Sequence, residues 1–182
     1  MTTFTAATPD FEELVKAAVL SMPAAKHLGF DFGRVAPGEV EIVQPYREEL
    51  TEHNGFFQAG VVGGLADFAG GSAGITLLGP GWVSMTVDYT IKLVAPAKGE
   101  KIVARGRVIK PSQVMSVAAA DVYAVNGSDE KLCATAFVTM RNIKLSKEMA
   151  RQPPRHDCNR PARRVLVPRA QLMWQAALLQ SP

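Results

Sequence analysis

Six glycines, at positions 60, 63, 64, 70, 71 and 74, fall inside a stretch that otherwise reads as a helix. Their spacings of three and four put them on one stripe, and Asp67 shares it. The neighbouring stripe is bulky, with Val61, Leu65, Phe68 and Ile75 and with Ser72 among them, which is the pattern of an ordinary core contact. Each helical glycine costs about 1 kcal/mol relative to alanine, so six cost on the order of 5 kcal/mol. Close approach of another backbone, a second helix or a thin ligand is what can offset that. The fold must therefore bring something hard against this helix.

The rest of the chain says what that something is. Residues 58–78 read as one long central helix, stopped by Gly79-Pro80-Gly81. Before it, Thr8-Pro9-Asp10 starts a short helix carrying Phe11, Leu14, Val15, Ala18 and Val19, and Pro23 interrupts the pattern. Residues 30–34 and 39–46 read as strands joined by a Pro37-Gly38 turn, with Val40, Ile42 and Gln44 on one face. After the helix, 82–94 carries Val83, Met85, Val87, Tyr89 and Ile91 at period two. Strands at 101–109, 114–125 and 131–142 follow, with turns at Pro111-Ser112 and at Asn126-Gly127-Ser128-Asp129. Four strands in succession predict an antiparallel hairpin-connected sheet with the long helix on its face, an α+β domain.

Composition bounds the class. The chain has 182 residues, enough for one domain with a real core. Its net charge of +3 is unevenly held: 147–182 has seven basic and two acidic residues, leaving 13 basic and 15 acidic in 1–146. The body is mildly acidic, which argues against a nucleic-acid partner. The expected organisation is a domain over 1–146 with an N-terminal helix, then a basic Pro/Arg-rich tail over 147–182, loosely attached or disordered, with a short amphipathic helix at 170–179. Cys133 lies in an apolar run and reads as a small buried hydrophobe. Two cysteines make no disulfide framework, and residues 1–10 lack the features of a signal peptide, so a cytoplasmic location is expected. No apolar run is long enough to span a membrane. His156 and Cys158 are too few to hold a metal.

Asp67 is the only charged side chain between His53 and Asp88. In so apolar a helix it should be desolvated and its pKa raised, a setting for a general base or a nucleophile. The helix start offers the complementary group. Backbone N–H groups at Ala59 and Gly60 point out of the N-terminus, where the dipole favours negative charge, and a developing oxyanion fits there. Gln58 can donate a hydrogen bond at the same place or act as a cap. Asn54 can position a water or simply permit the Asn54-Gly55 turn. His53 reads as a surface loop residue.

The run Leu50-Thr51-Glu52-His53-Asn54-Gly55-Phe56-Phe57-Gln58-Ala59-Gly60, continuing to Asp67, resembles the signature of the PaaI-type thioesterases, a branch of the hotdog superfamily. Residues 83–91, the Val94-Ala95-Pro96-Ala97-Lys98-Gly99 turn, the Ala104-Arg105-Gly106-Arg107-Val108 strand and Ala134-Thr135-Ala136 fit as well, so the resemblance covers 28–143. It implies a hotdog fold, a long helix wrapped by a curved antiparallel sheet, assembled as a homodimer or homotetramer. It implies hydrolysis of an acyl-CoA thioester without metal or bound cofactor. Asp67 maps onto the family's base or nucleophile, Gly60 or Ala59 onto the residue whose N–H polarises the carbonyl, and Thr86 onto a strand hydroxyl seen in some members. Gly63 and Gly64 would lie along the substrate, and Lys98 and Arg105, with Lys92, Arg107 and Lys110, are candidates for the CoA phosphates. One departure stands out. The family often has His-Gly-Gly where this chain has Gln58-Ala59-Gly60, and glutamine exchanges no proton near neutral pH. A binding protein that holds acyl-CoA or another apolar ligand without turnover is therefore the alternative.

Overall fold

The computed structural model describes residues 4–146. The expectations for 147–182, including the helix at 170–179 and the pair His156 and Cys158, lie outside the described residues. In chain order the elements are α1 (Phe11–Leu20), α2 (Pro23–Leu28), β1 (Asp31–Ala36), β2 (Glu39–Pro45), a single 3-10 turn (Glu48–Leu50), α3 (Ala59–Ile75), β3 (Trp82–Leu93), β4 (Lys101–Lys110), β5 (Met115–Asn126) and β6 (Asp129–Lys144).

The strands form one antiparallel sheet in the order β1-β2-β4-β5-β6-β3. This corrects one sequence expectation. β3 and β4 do not form a hairpin: β3 pairs with β6 at one end of the sheet, and β4 pairs with β2 and β5. The cause lies in residues 94–100. Their backbone groups are taken up elsewhere, Val94 N–H by Cys133 O and Ala97 O by Phe57 N–H, while Glu100 O accepts from Tyr46 N–H. Pro96 has no N–H to lend to a ladder. The segment therefore crosses the end of the sheet and joins strands that are not neighbours. The other turns stand where the sequence placed them, with Gly38 at φ 78 between β1 and β2 and Gly127 at φ 55 between β5 and β6.

α3 ends at Ile75, three residues short of the predicted stop at 78. Thr76 ends it by donating its hydroxyl to Ala73 O and accepting from Gly38 N–H, which ties the helix end to the β1–β2 turn. Leu77 and Leu78 then continue in tighter turns, bonding Gly74 O and Ile75 O.

The helix meets the sheet through small residues on both sides. Leu65, Ala66, Ala69 and Ala73 are fully buried, and so are Ala104, Ala118, Ala120 and Ala134 opposite. A methyl at Gly70 would lie 2.8 Å from Val138 Cγ2, and one at Gly74 would lie 2.8 Å from Met140 Sδ. Gly106 on β4 gives way in turn to the backbone of Ala69. Close approach of the sheet thus accounts for Gly70 and Gly74. It does not account for Gly64 and Gly71, where a methyl would meet nothing within 4 Å. Those two flank Asp67 at i−3 and i+4 and leave an open strip along the helix.

Candidate active site

Asp67 is half-buried on that open strip. Burial raises its carboxyl above the ordinary aspartate value, and a hydrogen bond from Thr86 works in the opposite sense. Thr86 Oγ1 donates to Asp67 Oδ1 at 2.8 Å. The second carboxylate oxygen makes no hydrogen bond among the described residues. The result is an oriented, partly desolvated carboxylate with one free oxygen, the arrangement a general base needs.

A bulge in β3 makes the Thr86 contact. Strict alternation would put Thr86 opposite in facing to Tyr89 and Ile91. In the structure Thr86 pairs with Met140 and Asp88 pairs with Thr139, so Val87 is an extra residue without a partner. Beyond it Tyr89 pairs with Val138 and Ile91 with Ala136. Directly paired residues share a face, and Val138 and Met140 press on α3. Thr86, Tyr89 and Ile91 therefore all face the helix. The expected period-two row from Val83 to Ile91 is broken at Val87, while Met85 and Val87 are 57% and 55% exposed.

At the helix start, Gln58 sits at the cap with extended backbone and its side-chain Oε1 accepts from Gly60 N–H at 2.5 Å. Of the two amides predicted to polarise a carbonyl, Gly60's is thus engaged, and Ala59's has no partner among the described residues. The Gln58 amide nitrogen makes no hydrogen bond among the described residues. Gln58, Ala59 and Gly60 are all exposed.

The remaining predicted residues divide. Gly63 lies beneath the phenol of Tyr89, with a methyl there 3.4 Å from Tyr89 Oη. Asn54 forms its turn: its amide nitrogen bonds Glu52 Oε2 at 2.9 Å and its backbone N–H bonds Glu52 Oε1 at 2.9 Å. No contact links it to Asp67. Lys98 is exposed with its Nζ 5.7 Å from the ring centroid of Phe56, in the loop that leads into α3. Arg105 is on the other side of the sheet. Its neighbour Gly106 faces α3, so Arg105 points away, where its guanidinium bonds Glu41 at 2.8 Å and both oxygens of Glu130 at 2.6 and 2.7 Å. The Arg105 guanidinium in turn holds the Glu130 carboxyl below the usual range, and the two glutamates take up the charge expected to serve a phosphate. Arg107 shares that face and lies 4.0 Å from Asp121. Two residues escaped the sequence reading. Glu52 gathers the amides of Asn54 and Phe56 and so shapes the loop before α3, and a lone loop glutamate carries no signal of that. Tyr89 was hidden by the bulge.

Neither a family model nor a curated protein matches the chain. Solved structures do. A thioesterase family protein from Silicibacter pomeroyi is 30% identical, with a TM-score of 0.72, over 74% of this chain and 98% of that one. The chain belongs to the thioesterase family. Its sheet and helix are the hotdog arrangement. A thioesterase from Haemophilus influenzae, at 24% identity and TM-score 0.65, covers 79% of this thioesterase-family chain and 93% of its own. A phenylacetic acid degradation-related protein from Ralstonia eutropha has 21% identity and TM-score 0.61, over 72% and 98% of the two chains. These last two share the fold. Among the described residues, no helix is long and apolar enough to cross a membrane, and no group of three or more His, Cys, Asp or Glu could hold a metal ion.

Proposed function

We propose that the chain hydrolyses an acyl-CoA thioester to a free acid and CoA, with Asp67 as general base. The observation that carries this reading is the Asp67 carboxylate itself: half-buried, oriented by Thr86, and flanked by Gly64 and Gly71 where the helix leaves room for a substrate. A thioester laid along the strip would reach the helix start with its carbonyl oxygen, where Ala59 N–H is free and Gly60 N–H becomes available if the Gln58 side chain turns. Asp67 takes a proton from water as the water oxygen bonds the carbonyl carbon. The tetrahedral oxyanion is held at the helix start, the C–S bond breaks, and the proton passes from Asp67 to the departing sulfur. Lys98 is the predicted cation nearest the entry loop and would meet a CoA phosphate. No metal or bound cofactor enters these steps. The substrate class carries a cytoplasmic location with it, and assembly as a homodimer or homotetramer belongs to the same reading. Steady-state hydrolysis of short, medium and aryl acyl-CoAs tests it; Asp67→Asn retaining full activity removes Asp67 from the role.

The engaged Gly60 amide and the absent histidine favour a second reading, an acyl-CoA binding protein without turnover. Calorimetry showing tight binding of acyl-CoA with no release of thiol decides for it.

A further inference from the structure

Any substrate that reaches both Asp67 and the helix start must cross the turn between them. Seven residues separate Gly60 from Asp67, a rise of about 10 Å and about two turns, so both lie on one side of α3. Gly63 and Gly64 lie midway. Over Gly64 there is open space, and beside it the phenol oxygen of Tyr89 stands 3.4 Å from the position of a methyl on Gly63. Tyr89 is 45% exposed, and its hydroxyl makes no hydrogen bond among the described residues. β3 thus sets two hydroxyls on successive turns of the helix, Thr86 on Asp67 and Tyr89 beside Gly63, and the bulge at Val87 is what lets both face the same way. The first holds the carboxylate. The second has no work to do in the free protein, while the nearby Gly60 N–H is bonded to Gln58.

We propose that Tyr89 is a further catalytic residue, its phenol O–H donating to the thioester carbonyl oxygen between Asp67 and the helix start. This rests on the thioesterase reading above. As water adds, the carbonyl π pair moves onto that oxygen, and the phenol holds it by a hydrogen bond while keeping its own proton. The pair returns when the C–S bond breaks, and the proton taken by Asp67 goes to sulfur. Tyr89 also supplies a donor one turn along from Gln58, whose Oε1 occupies the Gly60 N–H, where the family's histidine is missing. A methyl at Gly63 would make ordinary contact with the phenol, so the ring lies directly against this turn of the helix.

Tyr89→Phe removes the hydroxyl and leaves the ring. With acyl-CoA substrates it lowers kcat by roughly a hundredfold and leaves KM near its starting value, in line with the loss of one oxyanion donor. The melting temperature stays unchanged, because the hydroxyl has no partner in the protein. A second measurement is independent of turnover. A 2-oxoalkyl thioether of CoA keeps a carbonyl that water cannot cleave from sulfur, and an alkyl thioether lacks it. Tyr89→Phe weakens the first by roughly fivefold to tenfold and leaves the second unaffected. Full kcat in Tyr89→Phe, a rise in KM alone, or equal weakening of both analogues overturns the proposal. Failure of the wild-type chain to hydrolyse any acyl-CoA overturns the thioesterase reading instead, and the analogue pair still reads the hydrogen bond. A wild-type chain that binds neither analogue overturns both.

Discussion

Thr86 Oγ1 reaches Asp67 Oδ1 at 2.8 Å from nineteen residues along the chain, across the seam between the edge strand and the central helix. Burial and this bond push the carboxyl in opposite directions, and burial wins. Thr86→Val removes the bond at nearly constant volume, so the Asp67 pKa rises further. A general base acts only when ionised, so the acid limb of the kcat profile moves to higher pH, and kcat falls on the acid side of the profile. Thr86→Ser restores the profile. An unmoved limb in Thr86→Val shows that the bond is incidental to activity.

Asp67→Asn separates chemistry from stability. Loss of the base lowers kcat by about 10²–10⁴-fold. Stability changes the other way. The folded chain holds the Asp67 proton above its ordinary value of 3.8, so the unfolded chain releases it first and folding weakens as pH rises from that value through the raised one. Asparagine carries no such loss. The variant therefore melts higher than wild type near neutral pH, and the two curves converge below the ordinary carboxylate range. A variant that melts lower at neutral pH means the carboxylate is a structural acceptor, and the base assignment fails.

The glycines give a paired test. Gly70→Ala drives a methyl to 2.8 Å from Val138 in the helix–sheet contact, with an expected loss of about 1–3 kcal/mol in chemical denaturation. Gly71→Ala and Gly64→Ala put a methyl into open space and gain up to about 1 kcal/mol from helix propensity. The same two methyls narrow the strip beside Asp67, so kcat/KM falls even as the fold tightens. Unchanged kcat/KM in both variants means the substrate does not lie there.

Much of this was legible in the sequence because its signals are local. The glycine stripe, the lone Asp67 and the turn residues Pro37-Gly38 and Gly127 each act within a few residues, and the structure bears out the helix, the strands and the hotdog arrangement. The order of strands was not legible, since the choice between β3–β4 and β3–β6 pairing is made by backbone bonds of 94–100 to Phe57, Cys133 and Tyr46. Nor was the division of the stripe into glycines under the sheet and glycines in the open. Spacing alone puts Gly70 and Gly71 together, but they differ in what faces them. The Val87 bulge left no mark either: alternation continues through it in the sequence, and only the pairing with β6 shows the extra residue. Arg105 carried the basic signal of a phosphate ligand, and strand parity with Gly106 turns it to the far face.

That parity yields a contrast between two cations. Arg105→Ala leaves Glu41 and Glu130 without their partner and lowers stability by about 1 kcal/mol, since the group is partly exposed. KM for acyl-CoA stays the same. Lys98→Ala leaves stability near wild type and raises KM, more so at low salt, where an exposed charge acts over a longer range. A KM that responds to Arg105 and ignores Lys98 reverses the assignment of the entry side.

The free side of β3 bears on assembly. Among the described residues this strand of 12 residues pairs only with β6, and it exposes Met85 and Val87 at 57% and 55%. A long apolar edge is a template for pairing with another chain. A second copy, adding its own β3 in antiparallel register, would cover that edge and close the side of the strip that holds Asp67 and Thr86. Size-exclusion chromatography with light scattering should therefore give a dimer or a multiple of it. Met85→Lys combined with Val87→Asp should give a monomer that still shows a cooperative melt and has lost most of its activity. A wild-type chain that runs as a monomer at full activity would show that one protomer is sufficient for the site.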